Sequence, residues 1–355
     1  MELAVIDYLR GFADGDRALA QLKEIYGIEA KRHPDYPELY QLNYSQIDSP
    51  KTHPIVRDCR GLILNRAENW RVVALPFRRF FNYGEAEAEK EIDWSTAKVQ
   101  EKVDGSLIVC YYYDGWQIAT RSNPKGDSPV NRYNLTFREL FLNALRDYDL
   151  REQLNPHYTY LFEVCSPYNR VVVSHSKTYA VGLASFHTKT YQEGETPEFN
   201  PVKKWSLTDV DELLDMAKTL NPLNQEGYVV VDEAGNRLKI KSPKYIALHH
   251  LISNMSRRKM IELVRQGETE EILTYYPELK EEHDKVANRL ESLLKEAEEL
   301  YETNKNLPDK KSFALQVKDH PLSGLLFNLK DRKISSFQEG IREMSLKKLE
   351  QILRF

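Results

Sequence analysis

Apolar positions in the first ~27 residues recur at helical spacing. Leu3, Ile6, Leu9, Leu19, Leu22 and Ile25 stand among charges, so the stretch predicts an amphipathic helix. From about residue 38 to residue 242 the texture changes to short β-rich runs. These are Arg60–Leu64, Val72–Leu75, Leu107–Tyr113, Tyr158–Val164, Tyr228–Val231 and Leu238–Ile240. Asp114-Gly115 and the stretch 233–236 supply turn signals between them. Two helical stretches, roughly 133–148 and 206–219, interrupt the strands, and the second offers Ser206 or Thr208 as an N-cap. Strands mixed with isolated helices predict an α+β domain built on antiparallel sheet.

Beyond about residue 244 the strand pattern stops. Residues 246–355 are rich in Leu, Glu, Lys and Arg, with Val286, Leu290, Leu293, Leu294 and Ala297 at helical spacing. Pro277, Pro308 and Pro321 divide this stretch into four or five helices. The chain thus reads as two domains: residues 1–243 on antiparallel sheets with flanking helices, and residues 244–355 all helical. There is no fixed-period repeat and no low-complexity tract. The charged run 281–285 reads as a solvated helix face.

Composition narrows the class. A chain of 355 residues exceeds one ordinary core, and 41% hydrophobic with 29% charged residues argues against wholesale disorder. No apolar run approaches the ~18–20 residues that span a bilayer, so no membrane association is expected. The start carries acids among its apolar residues and no basic region, so no signal peptide is expected. Cys59, Cys110 and Cys165 are odd in number and widely spaced, which fits neither a zinc site nor a disulfide framework and suits a reducing cytoplasm. The net charge of -4 points to no polyanionic partner, so such a reading must rest on local cationic clusters.

The segment 101–107 carries the clearest chemistry, Glu-Lys-Val-Asp-Gly-Ser-Leu between two β-like runs. A lysine at a strand edge, followed by Asp104, Gly105 and Ser106, suits a covalent amine nucleophile. Gly105 lets backbone approach a ligand, and burial with nearby cations would lower the Lys102 pKa toward a neutral amine. The competing reading is an exposed lysine ahead of a hairpin turn. Lys239 and Lys241, two apart in a strand, face the same way and suit a polyanion, or are two exposed edge lysines. Glu163 and Glu226 each sit in an apolar β run, either facing outward or placed to hold a divalent cation.

Taken in order, these segments resemble the covalent nucleotidyltransferases, and among them the phage-type RNA ligase 1 family. The motifs are Lys102-x-Asp-Gly-Ser106, Phe162-Glu163, Glu226-Gly227 and Lys239-Ile-Lys241. Arg60-Gly61 after Cys59, Arg79-Phe-Phe-Asn82, the run 167–171 and Tyr245 fit that family in particular. The likeness covers about residues 35–250. It implies an ATP-dependent RNA ligase that joins 5′-phosphate and 3′-hydroxyl ends through a lysyl-AMP and an RNA-adenylate, in RNA or tRNA repair. Lys102 would attack the α-phosphate of ATP. Lys239 and Lys241, facing Lys102, would bind phosphates. Glu226 would help position Mg²⁺, for which Mn²⁺ can substitute. Arg60, Arg79, Arg121 and Glu163 would contact the nucleotide, and Tyr245 would pack near the lysines.

The resemblance further implies single-stranded RNA or broken tRNA ends as substrate, a monomer, and a kinase-phosphatase that heals ends as functional partner. Residues 1–243 would self-adenylylate alone, and the helical part would select RNA. Two departures stand out. The family carries a second lysine after the Arg121 position, where this chain next offers only Lys125, and Lys where this chain has Arg79. Candidate RNA contacts are Arg121, Lys125, Arg132, Arg170, Lys177, Lys203, Lys204 and Arg257 to Lys259. Tyr111 to Tyr113 suggest base stacking, although alternation puts at least one in the core. His249 and His250 read as helix-start residues. A DNA ligase or capping enzyme is disfavoured because those usually carry Arg soon after the motif glycine and a β-barrel after the catalytic domain. An RNA-end-binding protein without catalysis is disfavoured by the intact lysines and acids.

Overall fold

The computed structural model describes residues 3–353 except 86–87, 89–91, 132, 147, 198, 207–208, 254, 268, 270–271 and 274–275. Two compact units emerge, Met1–His249 and His250–Phe355. Among its described residues the first holds fourteen strands in chain order: β1 (Ile28–Arg32), β2 (Leu39–Tyr44), β3 (Arg60–Asn65), β4 (Arg71–Ala74), β5 (Phe81–Asn82), β6 (Lys98–Lys102), β7 (Ser106–Tyr112), β8 (Trp116–Thr120), β9 (Tyr158–Cys165), β10 (Tyr179–His187), β11 (Glu193–Gly194), β12 (Lys204–Trp205), β13 (Gly227–Val231) and β14 (Arg237–Lys241). They form three sheets, ordered β1-β2-β3-β4, β11-β10-β9-β7-β8 and β12-β6-β13-β14-β5. All strand pairs are antiparallel except β14 with β5. The fold is α+β.

The first ~27 residues make two helices rather than one, Ala4–Arg10 and Gly15–Tyr26. Asp14 caps the second by accepting from the Asp16 N–H, which ends the continuity that the apolar spacing alone suggests. Ile25 is exposed. The second sheet packs helix Phe137–Leu145 on one face, closed at its start by a reciprocal Thr136–Glu139 capping box. Helix Val210–Thr219 covers the third sheet and is capped by Asp209 instead of Ser206; Thr208 lies outside the described residues.

Alternation along β14 sets up the site. Leu238 and Ile240 enter the core beneath helix Val210–Thr219, so Arg237, Lys239 and Lys241 face the other way. Helix Pro243–Ser253 begins at its proline, so His249 and His250 fall in its last two turns rather than at its start. The helical unit contains helices Arg257–Gln266, Lys280–Asn304, Lys310–Val317, Ser323–Lys330, Phe337–Glu343 and Leu346–Ile352, six among the described residues. Two additional breaks carry no proline: Ser336 caps the helix after the first, and Ser345 stands at the N-cap position after the second. Val286, Leu293, Phe313, Val317, Leu326 and Leu349 form its apolar centre. On the helix face at 281–285, the exposed Lys285 pairs with Glu281 at 2.9 Å.

Candidate active site

Lys102 is the last residue of β6 in the third sheet, and Ser106 is the first of β7 in the second. Residues 103–105 are therefore the crossing between sheets, and Asp104 fixes it. Its carboxylate accepts from the backbone N–H groups of Val172 and Val173 at 2.9 and 2.7 Å and from the Tyr245 hydroxyl at 2.8 Å. Its carbonyl accepts from His175 Nε2 at 2.7 Å, and the Tyr179 hydroxyl donates to Nδ1 at 3.0 Å. Gly105 lines the cleft and is also needed for packing, since a Cβ there would sit 2.4 Å from the Val164 carbonyl oxygen. Asn169 donates to the Ser106 hydroxyl at 3.0 Å and locks the far side of the crossing.

β13 lies between β6 and β14, and the register sets Gly227 opposite both Lys102 and Lys241. Glu226, just before that point, is 3% exposed and binds both ammonium groups, Lys102 at 2.6 Å and Lys241 at 2.7 Å. Burial opposes its ionisation, but the two lysines outweigh burial and hold its pKa below the usual value. Burial likewise pulls the Lys102 pKa down, yet the Glu226, Glu163 and Asp104 carboxylates more than reverse it, and the pKa is raised. This corrects the expectation of a lowered Lys102 pKa: the charges closest to its amine are anions. The depressed lysine is Lys239, brought to about 7 by burial and then by Arg60, Lys102 and Lys241. Its ammonium lies 4.5 Å from the Phe80 ring centre and donates to the Phe80 carbonyl at 2.8 Å. Glu163 is pushed up to about 8, by burial first, with Lys102 opposing and Glu226 and Asp104 adding to the rise.

Glu226 lines a neighbouring space of about 330 Å³ that Lys102 also borders; the main cleft, of about 500 Å³, lies between the second and third sheets. Lys102, Lys239, Lys241, Arg60, Arg121 and Glu163 all line it. Phe77, Phe80, Phe137, Leu183 and Val229 supply apolar wall. Arg60 Nη1 is buried with no hydrogen-bond partner, a donor that an entering anion would satisfy. Arg237 also lines the cleft and was readable as the third member of the 237, 239, 241 alternation. Leu183 was not readable, because Tyr179–His187 mixes glycine and alanine into a run with little strand signature.

Other expected residues fall elsewhere. Arg79 does not line the cleft; its guanidinium stacks on the Tyr44 ring at 4.3 Å, where the Arg121 guanidinium also rests at 4.4 Å. Tyr245 is buried behind the crossing, with the Lys241 ammonium 5.4 Å from its ring. Lys125 pairs with Asp35 at 2.9 Å and leaves the second basic position outside the cleft lining. Lys203 pairs with Glu101 at 3.7 Å, and Arg170 donates to the Val172 carbonyl. Lys177 and Lys204 are exposed. Arg257 and Lys259 belong to the helical unit, held by the Leu353 carbonyl and Glu262. Arg132 lies outside the described residues. Tyr111 is buried, Tyr112 is exposed and Tyr113 donates to Glu38, so the three form no continuous platform. The three cysteines are buried and free.

Among the described residues no three His, Cys, Asp or Glu side chains cluster as a metal site. Glu226 and Glu163 offer one or two carboxylates, the number with which magnesium is ordinarily held when substrate phosphates and water complete its shell. No described helix is long and apolar enough to cross a membrane.

Fold and site thus define an α+β protein with a carboxylate-held lysine in a cationic cleft between two sheets. The model of the RNA ligase family matches residues 58–245, more than half of the chain, and the chain belongs to that family. It is 32% identical to a putative bifunctional polynucleotide kinase/RNA ligase of Autographa californica nuclear polyhedrosis virus, across 72% of this chain and 40% of that relative's length. It is 24% identical to an RNA ligase of Rhodothermus phage RM378, across 98% of this chain and 96% of the phage protein. Among solved structures, an archaeal ATP-dependent RNA ligase is 12% identical with a TM-score of 0.47, across 91% and 90% of the two chains.

Proposed function

We propose that this chain is an ATP-dependent ligase of RNA ends and that Lys102 carries the nucleotide. The observation that supports it most is Lys102 held by Glu226 at 2.6 Å in a cleft walled by Arg60, Arg121, Lys239 and Lys241. Lys102 loses a proton, its Nζ bonds to the α-phosphorus of ATP, and the bond to the bridging oxygen breaks to release pyrophosphate. A 5′-phosphate oxygen of RNA then attacks the same phosphorus, and the bond to Nζ breaks. Finally a 3′-hydroxyl loses its proton, attacks the activated RNA phosphorus and expels AMP.

The chain's own groups have separable tasks. Lys239, Lys241 and the arginines offset charge that builds on the phosphates. Glu226 bridges Lys102 and Lys241 and offsets their mutual repulsion until the nucleotide's charge competes for them. Glu163, largely protonated at neutral pH, can donate to a sugar hydroxyl. Magnesium, or manganese in its place, would supply charge neutralisation at the phosphates, with Glu226 as its carboxylate donor. The first unit adenylylates and the helical unit selects RNA. Broken tRNA is the substrate proposed, with a separate kinase-phosphatase healing the ends and the ligase acting as a cytoplasmic monomer.

Incubation with α-labelled ATP and magnesium, followed by denaturing electrophoresis, tests the reading. Wild type should retain acid-labile, base-stable label. Lys102→Ala and Lys102→Arg should retain none, because guanidinium is never a free amine near neutral pH. Label persisting in Lys102→Ala would sink the assignment.

A further inference from the structure

We propose that His175 is a positioning residue for Lys102, and that the short segment 172–175 to which it belongs holds that lysine in register with Glu226. This rests on the ligase reading above. His175 does not line the main cleft, where the nucleotide would sit. It lines the neighbouring space of about 330 Å³, together with Lys102, Asp104 and Glu226.

Lys102 ends β6, and the crossing residues 103–105 belong to no strand, so no ladder of backbone bonds holds them. Asp104 is held instead at all three of its oxygens. One carboxylate oxygen takes the Val172 and Val173 N–H groups, and the other takes the Tyr245 hydroxyl. The carbonyl takes His175 Nε2 at 2.7 Å, with the weaker Cys165 thiol at 3.7 Å. A carbonyl only accepts, so the His175 proton sits on Nε2, and Nδ1 of the neutral ring accepts from the Tyr179 hydroxyl at 3.0 Å. Tyr179 opens β10 opposite Cys165, the last residue of β9, so the far side of the ring is anchored to the second sheet. Both ring nitrogens are thus engaged by the protein, which suits a mount rather than a free acid or base.

The same segment grips the other half of the ion pair. The Ser174 N–H donates to the Leu223 carbonyl at 3.1 Å, three residues before Glu226. Leu223 stands in the turn that leads into β13, where the Asn224 and Gln225 N–H groups both bind the Asn221 carbonyl. Val172, Val173 and His175 therefore hold the chain that carries Lys102, while Ser174 holds the chain that carries Glu226. Val172 and Val173 are buried with Tyr245 in one apolar cluster, which gives the segment a fixed base. Releasing the Asp104 carbonyl would let the crossing shift and would disturb the 2.6 Å contact between Lys102 and Glu226. A misplacement of about 1 Å at a reacting group costs up to ~10² in rate.

The test compares His175→Phe, His175→Gln and Tyr179→Phe, each in the full chain. Phenylalanine fills the space of the ring with neither donor nor acceptor, whereas glutamine restores both at similar reach. Tyr179→Phe keeps the ring and removes the hydroxyl that anchors it. Single-turnover AMP transfer should fall at least about tenfold in His175→Phe and about threefold in Tyr179→Phe, and His175→Gln should stay within about threefold of wild type. The ATP concentration that gives half the maximal rate should stay within about twofold of wild type in all three, since neither position lines the main cleft. A merely structural role would lower the melting temperature without separating rate from affinity, and glutamine would bring no selective rescue of the rate. AMP transfer in His175→Phe within about twofold of wild type, or ATP affinity lost by the same factor as rate, would overturn the proposal. If His175→Phe does not fold, Tyr179→Phe decides, and an unchanged rate there overturns it. A wild type that takes no label from ATP refutes the ligase reading and this inference with it, whereas a labelled wild type matched by an equally fast His175→Phe refutes the inference alone.

Discussion

The two units of this chain handle burial in opposite ways. The first carries charge into its interior: Asp58, Arg79, Asp104 and Glu226 are all buried. Tyrosine aside, every buried polar or charged side chain among the described residues lies at or before Ser242. The centre of the helical unit is apolar, from Met260 through Phe313 to Leu353. Removing ions from water costs several kcal/mol each unless they are paired. The first unit meets this cost by pairing, with Asp58 on Arg78 and Glu226 on Lys102 and Lys241. Among its described residues the helical unit buries no charged side chain.

The largest effect that can test this contrast is expected at Glu226. Glu226→Gln keeps the shape but leaves Lys102 and Lys241 without their shared carboxylate. Breaking a buried pair on one side costs about 3–5 kcal/mol, and the partial exposure of both lysines, 22% and 23%, favours the lower end. Urea unfolding should show that loss, and single-turnover AMP transfer should be nearly abolished. Leu293→Ala in the helical unit should cost a similar ~2–5 kcal/mol through its cavity while leaving the folded protein's AMP transfer intact. Wild-type unfolding in Glu226→Gln would erase the distinction between the units.

A smaller effect separates the two shifted groups of the cleft by pH. Lys239 titrates near 7 when folded and near 10.5 when unfolded, so between these values the unfolded chain binds more protons and stability rises with pH. Glu163 titrates near 8 when folded against 4.5 unfolded, so between 4.5 and 8 the folded chain binds more protons and stability falls with pH. Melting temperature followed across pH should lose its alkaline rise in Lys239→Met and its fall between about pH 4.5 and 8 in Glu163→Gln. Curves parallel to wild type in both variants would mean that neither group is held as the cleft geometry indicates. Lys239 is therefore not an ordinary exposed strand lysine whose loss would leave stability unmoved.

Much of this was legible in the chain, for reasons specific to each residue. Two-residue periodicity exposed Lys239 and Lys241 together, and the order of Lys102, Glu163 and Glu226 marked one site. What the sequence hid was pairing. Nothing in Glu226-Gly227 announces that one carboxylate bridges two lysines, because the bridge depends on the register of three strands. The direction of the Lys102 shift was hidden for the same reason. The stacking of Arg79 on Tyr44, a residue far away in sequence, was hidden as well. Short strands such as β5, β11 and β12 have two residues each and leave no periodic signal.

The smallest effect on AMP transfer is expected from removing the helical unit, provided that the cut respects the structure. Nearly all of the motifs lie before residue 243, which suggests a cut after Ser242. Such a cut would remove Tyr245, whose hydroxyl holds the Asp104 carboxylate at 2.8 Å. It would also remove the turns of helix Pro243–Ser253 that belong to the first unit. Asp104 sits in the crossing that carries Lys102, so this shorter chain should fold poorly around the crossing and transfer AMP far more slowly. A chain ending at Ser253 keeps Tyr245 and leaves out the helical core, which begins at Met260. It should accept label from ATP within a few-fold of the full chain, while joining of RNA ends drops. Both chains can be compared by circular dichroism and by single-turnover labelling on the same preparations. If the chain ending at Ser253 is folded yet takes no label, part of the nucleotide site lies in the helical unit, and the division between an interior that does chemistry and one that only packs does not hold.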